Sequence, residues 1–452
     1  MIFGIPVLAA FSLFHFHQTK MSISTSGNDN TSGDVIEKTI LASVQKNIHL
    51  LNSASPSRGE AVVHRVLLFT PSIRKNLSFQ HLEALEKEYV SDSAPFKSNV
   101  LSIISKYNEV TLDVVPHQPP CKDIVDYYLT CILVYKLIKI TKYEDAYSLI
   151  KAMIQNFITV GYMDIQKEYI VTRVCTYLML LHNQAYPMPS LLRDLLSWYR
   201  IGCLNNNRIL CSALYNSILR VYITDRQYLT ASHFLQTASF PAHVSDKQFL
   251  RFSYYKALVS TVLLNYTEAE HCLFSIHKKS GGQETGPFFE EVAKLSVLVK
   301  LLTGENPEVP IPAGNRQLSP YGELAAVVMR GDLDAYRRVV EARNNVFVRD
   351  RLERIVARLH NTVIRIALVK LSKSYSRISL SEIASILQLD SAEEACYTCM
   401  RNIRDGIIQG RIEGDYFVTE EVVGMIERCE GRTVQRLRRC RRSSSARKSR
   451  SA

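Results

Sequence analysis

Apolar side chains recur along this chain at three- and four-residue intervals, the period of a helix. Val35 to Leu51 places Ile36, Ile40, Val44 and Ile48 on one face and predicts an amphipathic helix. Val62 to Phe69 and Leu77 to Tyr89 predict two more, separated by Pro71. Pro95, Pro116, Pro119 and Pro120 then punctuate the chain before a more regular region.

From Lys122 the pattern becomes repetitive. Tyr143-x-x-Ala146, Tyr228-x-x-Ala231 and Tyr266-x-x-Ala269 each open a helix-like stretch, and with Tyr186 they recur at intervals of about forty residues, the length of a paired-helix repeat. The small Ala lets a partner helix approach closely, and Tyr fills the groove between neighbouring pairs. Gly281-Gly282 and Gly286-Pro287 interrupt the array, Phe288 to Leu302 predicts a further helix, and Pro310, Pro312, Gly314 and Pro320 make an extended connection. Tyr321 to Met329 and Leu333 to Arg343 predict a helical pair around Gly331-Asp332, with Gly closing the first helix and Asp capping the second. Arg349 to Ser372 reads as one long helix burying Leu352, Ile355, Val356, Leu359 and Val363, and it runs directly into the next unit.

The period changes there. Arg377-Ile378-Ser379 is a brief β-type run, and Ser379-x-x-Glu382 has the form of a capping box for a helix with Ile383, Ile386 and Leu387 inward. Asp390-x-x-Glu393 opens a second helix with a stripe of Cys396, Cys399, Met400, Ile403 and Ile407. Arg411-Ile412-Glu413 and Tyr416-Phe417-Val418 flank Gly414-Asp415 as a hairpin. Helix, turn, helix and hairpin over 374–418 make a winged helix. The expected fold is all-α, a TPR-like helical-repeat solenoid followed by this winged-helix subdomain.

Charge narrows what the winged helix does. The net charge is +12, which invites a nucleic-acid reading, but nine basic residues from Arg432 onward stand without an acid. The rest of the chain is left with a net charge of about +3 by simple counting. The second winged-helix helix carries Glu393, Glu394 and Asp405 against Arg401 and Arg404, so it repels phosphate as much as it attracts it. A protein–protein module is the better reading. Arg377, Ile378, Ser379 and Leu380, with Tyr416, Phe417 and Val418, are the candidate partner-binding residues, as exposed strands open to edge pairing. The Arg/Ser tail reads as a solvated extension or a nuclear import signal around Arg436 to Arg442, with contact to RNA or an acidic partner a lesser alternative and Ser443, Ser444 and Ser445 open to phosphorylation.

Candidate chemistry adds little. The ten cysteines lack the spacing of a disulfide framework and fit reduced thiols in the cytoplasm and nucleus. Cys396-x-x-Cys399 has no second ligand pair at zinc spacing and lies on an apolar stripe, so packing is expected. His15-Phe16-His17 lacks the downstream Asp of a metal-dependent deubiquitinase, and His360 reads as structural. Neither a P-loop nor a Gly-x-Ser-x-Gly elbow occurs. No catalytic, cofactor or metal site is therefore assigned. Met1 to Phe16 is apolar but short of a membrane span and reads as a start-site artefact or a dispensable leader, with secretion a lesser alternative, followed by a Ser/Thr/Asn/Gly-rich stretch to Asp34.

Helical repeats feeding a winged helix resemble the PCI-domain family, shared by the proteasome lid, the COP9 signalosome and a translation initiation factor. Leu301 to Pro307, Arg330-Gly331-Asp332-Leu333, Arg358 to Ile364, Ser374 to Leu380, Leu387 to Ser391 and Ile403 to Ile408 resemble the lid branch of that family. So does Val35 to Lys75 around His64-Arg65-Val66-Leu67. The resemblance covers 35–418. It implies a non-catalytic lid subunit that assembles with other PCI-domain subunits and a small, acidic, disordered lid protein, supporting ATP-dependent degradation of ubiquitinated proteins. The alternatives are a subunit of the COP9 signalosome or initiation factor, or an RNA-binding PCI protein of mRNA export. After Glu420 the chain departs from the family pattern, which continues through a longer segment to a closing bundle helix; here it turns into an Arg/Ser tail, and a bundle helix around Glu420 to Arg439 stays open. The expected divisions are a leader and disordered segment (1–34), an N-terminal helical region (35–120), a repeat array (121–240), the PCI domain (241–420) and a basic tail (421–452).

Overall fold

The computed structural model describes residues 32–54, 59–74, 77–90, 95–107, 123–161, 164–184, 190–242, 244–281, 286–307 and 318–419. The leader, Tyr186, the Pro116–Pro120 and Pro310–Gly314 stretches and the basic tail lie outside them. Two compact units are present, one of residues 1–299 with 349–351, the other of 300–348 with 352–452.

In the first unit, α1 (Ser32–Ser53), α2 (Gly59–Ile73), α3 (Phe79–Tyr89) and α4 (Lys97–Tyr107) precede the array. Its helices are α5 (Asp123–Lys139), α6 (Tyr143–Asn156), α7 (Ile165–Asn183), α8 (Leu191–Leu204), α9 (Arg208–Thr224), α10 (Tyr228–Thr237), α11 (Asp246–Val262) and α12 (Tyr266–Ser280). A short π-helical segment, Phe157–Gly161, follows α6, and α13 (Pro287–Thr303) follows the array. Helices α5, α7, α9 and α11 each pack on the next as a spine, and α6, α8, α10 and α12 pair with it from outside. Tyr143, Tyr228 and Tyr266 are the first residues of α6, α10 and α12, and Ala146, Ala231 and Ala269 are fully buried.

One turn geometry joins spine to outer helix. Thr141, Asn206, Arg226 and Leu264 all adopt positive φ, between 58° and 69°. The following amide reaches back five residues in each: Lys142 N to Leu137 O, Asn207 N to Gly202 O, Gln227 N to Tyr222 O and Asn265 N to Ser260 O, at 2.8–3.0 Å. This closure satisfies carbonyls that the helix end leaves open. A buried ion cluster also belongs to this unit. Lys294 Nζ lies 2.8 Å from both Glu291 Oε1 and Asp350 Oδ2, and none of the three side chains is more than 6% exposed.

The second unit contains α14 (Ser319–Arg330), α15 (Leu333–Arg349) and α16 (Glu353–Ser374), then β1 (Arg377–Ser379), α17 (Leu380–Leu387), α18 (Ala392–Arg404), β2 (Gly410–Glu413) and β3 (Tyr416–Thr419). Gly331 closes α14 at φ 71°, and Asp332 Oδ1 accepts from Ala335 N at 3.0 Å, as the Gly-Asp pair predicts. A Cβ at Gly331 would meet the Ala367 backbone at 3.1 Å, so α14 and α16 approach closely there. The expected long helix from Arg349 begins later. Asp350 is held by Lys294, and Arg351 turns left-handed at φ 58° with Leu352 N bonded to Phe347 O, so α15 runs to Arg349 and α16 starts at Glu353.

Candidate functional site

The capping box at Ser379 starts the winged helix as the sequence predicts. Ser379 Oγ accepts from Glu382 N at 3.2 Å, and Glu382 Oε2 accepts from Ser379 N at 3.3 Å. The second cap is shifted by one residue from Asp390-x-x-Glu393. Ser391 Oγ accepts from Glu394 N, and Glu394 Oε2 accepts from Asp390 N. Ile383, Ala384 and Leu387 face inward on α17 and Ala395, Cys399 and Asn402 on α18. Ile386 and Met400, expected on the buried stripes, are each 49% exposed. With short helices and a small sheet, only a narrow arc of each helix is covered. Burial pushes the Cys399 thiol up to about 11, which suits packing and not reactivity.

The strand order is β1-β3-β2. Tyr416–Val418 is therefore the central strand and not the exposed edge expected of it, because the hairpin folds back between β2 and the earlier β1. Ile378, Phe417 and Ile412 stand opposite one another across the three strands. Ile378 and Phe417 are buried, as is Leu380 at the start of α17. These three anchor the sheet to the helices. The other face carries Arg377, Ser379, Arg411, Glu413, Tyr416 and Val418. There the Arg377 guanidinium lies 4.2 Å from the Tyr416 ring centre, and Arg411 Nε lies 2.6 Å from Glu413 Oε1.

The ladder register fixes which backbone groups face outward. Thr419 N donates to Ser376 O at 3.0 Å and Leu380 N to Asp415 O at 2.8 Å. In an antiparallel pair, bonded and non-bonded positions alternate, so Ile378 bonds to Phe417 while Arg377 and Ser379 point their N–H and C=O away from β3. By the same alternation Arg411 and Glu413 bond to β3, and Gly410 and Ile412 point outward from β2. The Ser379 N–H is already taken by Glu382. The open edges are thus Arg377 on one side and Gly410 with Ile412 on the other. Gly414, at φ 56°, supplies the turn. Gly410 is required by close approach, since a Cβ there would stand 2.6 Å from Val418 O and 2.8 Å from the Phe417 ring.

Two family models match the chain. One, described as PSMD3-like N-terminal TPR repeats, covers residues 36–325, and the PCI domain covers 333–415. The chain belongs to the family of 26S proteasome non-ATPase regulatory subunit 3. The probable 26S proteasome regulatory subunit rpn3 of Schizosaccharomyces pombe is 30% identical over 84% of this chain and 77% of its own length. The probable 26S proteasome non-ATPase regulatory subunit 3 of Nicotiana tabacum is 28% identical over 80% and 77%, and the Dictyostelium discoideum protein of that name 27% over 84% and 79%.

Within this subunit 3 family member the sequence located the winged helix but missed β2 as an edge. Gly410 was its one signal, as a glycine where the hairpin begins. His360 lies beside the Tyr336 ring, with centroids 6.3 Å apart, and burial followed by the Arg337 charge lowers its pKa. Among the described residues no cluster of three or more His, Cys, Asp or Glu side chains could hold a metal, and no helix is long and apolar enough to cross a membrane.

Proposed function

We propose that this chain is a non-catalytic structural subunit of the 26S proteasome regulatory particle lid. It assembles with other PCI-domain subunits and a small acidic disordered lid protein, and it supports ATP-dependent degradation of ubiquitinated proteins in the cytoplasm and nucleus. The observation that carries this reading is the three-stranded sheet, with its Ile378–Phe417–Ile412 row turned to the helices and the outward backbone of Arg377 and Ile412 left for a neighbouring strand. Arg377, Ser379, Tyr416 and Val418 meet the partner through side chains, whereas Ile378, Leu380 and Phe417 support the surface from beneath.

Native complexes captured on the tagged chain and analysed by mass spectrometry test the proposal. Lid subunits and ATPases are expected in stoichiometric amounts. Ile412→Pro removes an outward N–H without removing a β2–β3 bond, so it should lower incorporation while the far-ultraviolet dichroism stays unchanged. A chain that remains monomeric in native extract overturns the reading. Salt-sensitive RNA capture that persists after deletion of 432–452 would favour an RNA-binding PCI protein instead.

A further inference from the structure

Two thiols meet across the turn between α8 and α9. Cys203 is exposed on the last turn of α8, and Cys211 is buried in the first turn of α9. Their Sγ atoms lie 3.8 Å apart. A Cβ at Gly202 would stand 2.9 Å from Cys211 Sγ, so the bare backbone of that glycine is what lets α9 seat the thiol against α8. The turn holds both sulfurs in this relation. Asn206 N donates to Cys203 O at 3.2 Å, Asn207 N to Gly202 O at 3.0 Å, and Cys211 N to Asn207 O at 2.9 Å. Asn205 Nδ2 donates to Ile158 O at 3.2 Å and ties the turn to the π-helical segment.

A disulfide needs the sulfurs to close from 3.8 Å to about 2.05 Å, a displacement of about 1.8 Å that rotation about χ1 of the exposed Cys203 supplies. Exposure also sets the order of events. Among the described residues Cys131, Cys175, Cys211, Cys272 and Cys399 are buried and Cys396 is partly covered, so Cys203 is the thiol that an oxidant in solvent reaches first. Burial, and then the neighbouring Cys203, raise the Cys211 pKa. Cys211 therefore keeps its proton until an electrophilic sulfur stands beside it.

We propose that Cys203 and Cys211 form a reversible disulfide, with Cys203 reacting first with a low-molecular-weight disulfide and Cys211 resolving the mixed disulfide. The Cys203 thiolate attacks one sulfur of the oxidant and breaks its S–S bond, and one small thiol leaves with the proton that Cys203 gave up. Cys211 Sγ then attacks Cys203 Sγ, and the second small thiol leaves with the Cys211 proton. The protein thiols lose two electrons and two protons, and the oxidant gains them as two thiols. The new bond staples the outer helix α8 to the spine helix α9. In a reducing cytosol the pair rests as thiols and links when the pool of small disulfides rises.

The test equilibrates the full chain in buffers of increasing glutathione disulfide over glutathione, blocks remaining thiols with N-ethylmaleimide and digests with trypsin without reduction. Cleavage after Arg200, Arg208 and Arg220 separates Ile201–Arg208 from Ile209–Arg220. Mass spectrometry should recover these two peptides as one linked species that dithiothreitol divides. Cys211→Ala removes the resolving thiol, so the glutathione adduct at Cys203 should accumulate about tenfold above wild type. Cys211→Ser, closer in volume, repeats that measurement, and Trp198 fluorescence confirms that each variant is folded. In Cys203→Ser, Cys211 should stay unmodified. Four results overturn the proposal: a lasting glutathione adduct at Cys203 in wild type without the linked pair, Cys203 linked to another cysteine, Cys211 modified in Cys203→Ser as fast as Cys203 in wild type, or a linked pair that forms only in urea.

Discussion

Lys294→Met probes the buried cluster that holds Asp350 in place. The ammonium lies 2.8 Å from Glu291 Oε1 and 2.8 Å from Asp350 Oδ2, with both carboxylates almost out of solvent. Removing it leaves two negative groups facing one another, with Arg349 Nε 3.3 Å from Asp350 Oδ1. Breaking a buried pair by deleting one partner costs about 3–5 kcal/mol, because the remaining charge is uncompensated. With a urea slope of about 2 kcal/mol per molar, the midpoint falls by about 2 M. Trp198 fluorescence measures it, since that side chain is buried in the same unit. Burial raises the Glu291 pKa while the Lys294 charge lowers it. Loss of Lys294 therefore raises it further, and the deficit shrinks as falling pH neutralises the carboxyl. Combining Lys294→Met with Glu291→Leu and Asp350→Leu removes all three charges together and should restore most of the loss. A cost below about 1 kcal/mol for the single variant, a value usual for surface pairs, would refute the reasoning.

Gly410→Ala should cost about 1–3 kcal/mol, because its Cβ meets the Val418 carbonyl at 2.6 Å and the backbone must shift; faster hydrogen exchange at β3 amides is the readout. Thr141→Gly should raise the urea midpoint, since a β-branched residue at φ 65° bears about 1–2 kcal/mol of strain, offset in part by glycine's chain entropy. Burial raises the Asp126 pKa to about 6, beside the buried Glu86, whose pKa is also raised. The folded state therefore binds the extra proton, and this contribution is full below the unfolded value near 4 and lost as pH rises through about 6. Asp126→Asn should flatten the stability profile between those pH values and raise the midpoint at pH 8, measured by urea titration across the range.

The repeat array was legible because its helices are long and its tyrosine–alanine pairs fall at first turns, where spacing alone locates them. The turns between those helices were not, since Thr141, Asn206, Arg226 and Leu264 share a conformation but no residue type. Their left-handed geometry goes with the backbone closure of the preceding helix end, which any residue's amide can make. The break before α16 was hidden for a related reason: Asp350 looks like any polar residue until Lys294, distant in sequence, closes over it.

For the winged helix, the Ser379 capping box, two apolar stripes and Gly414 are local signals that specify the elements and their order. Strand order was decided only in three dimensions. Each strand is three or four residues long, so side-chain alternation says which residues face the helices but not which strand lies in the middle. Backbone pairing between β1 and β3, separated by two helices, settled that: one open edge stayed at Arg377, and the other moved from Tyr416–Val418 to Gly410 and Ile412.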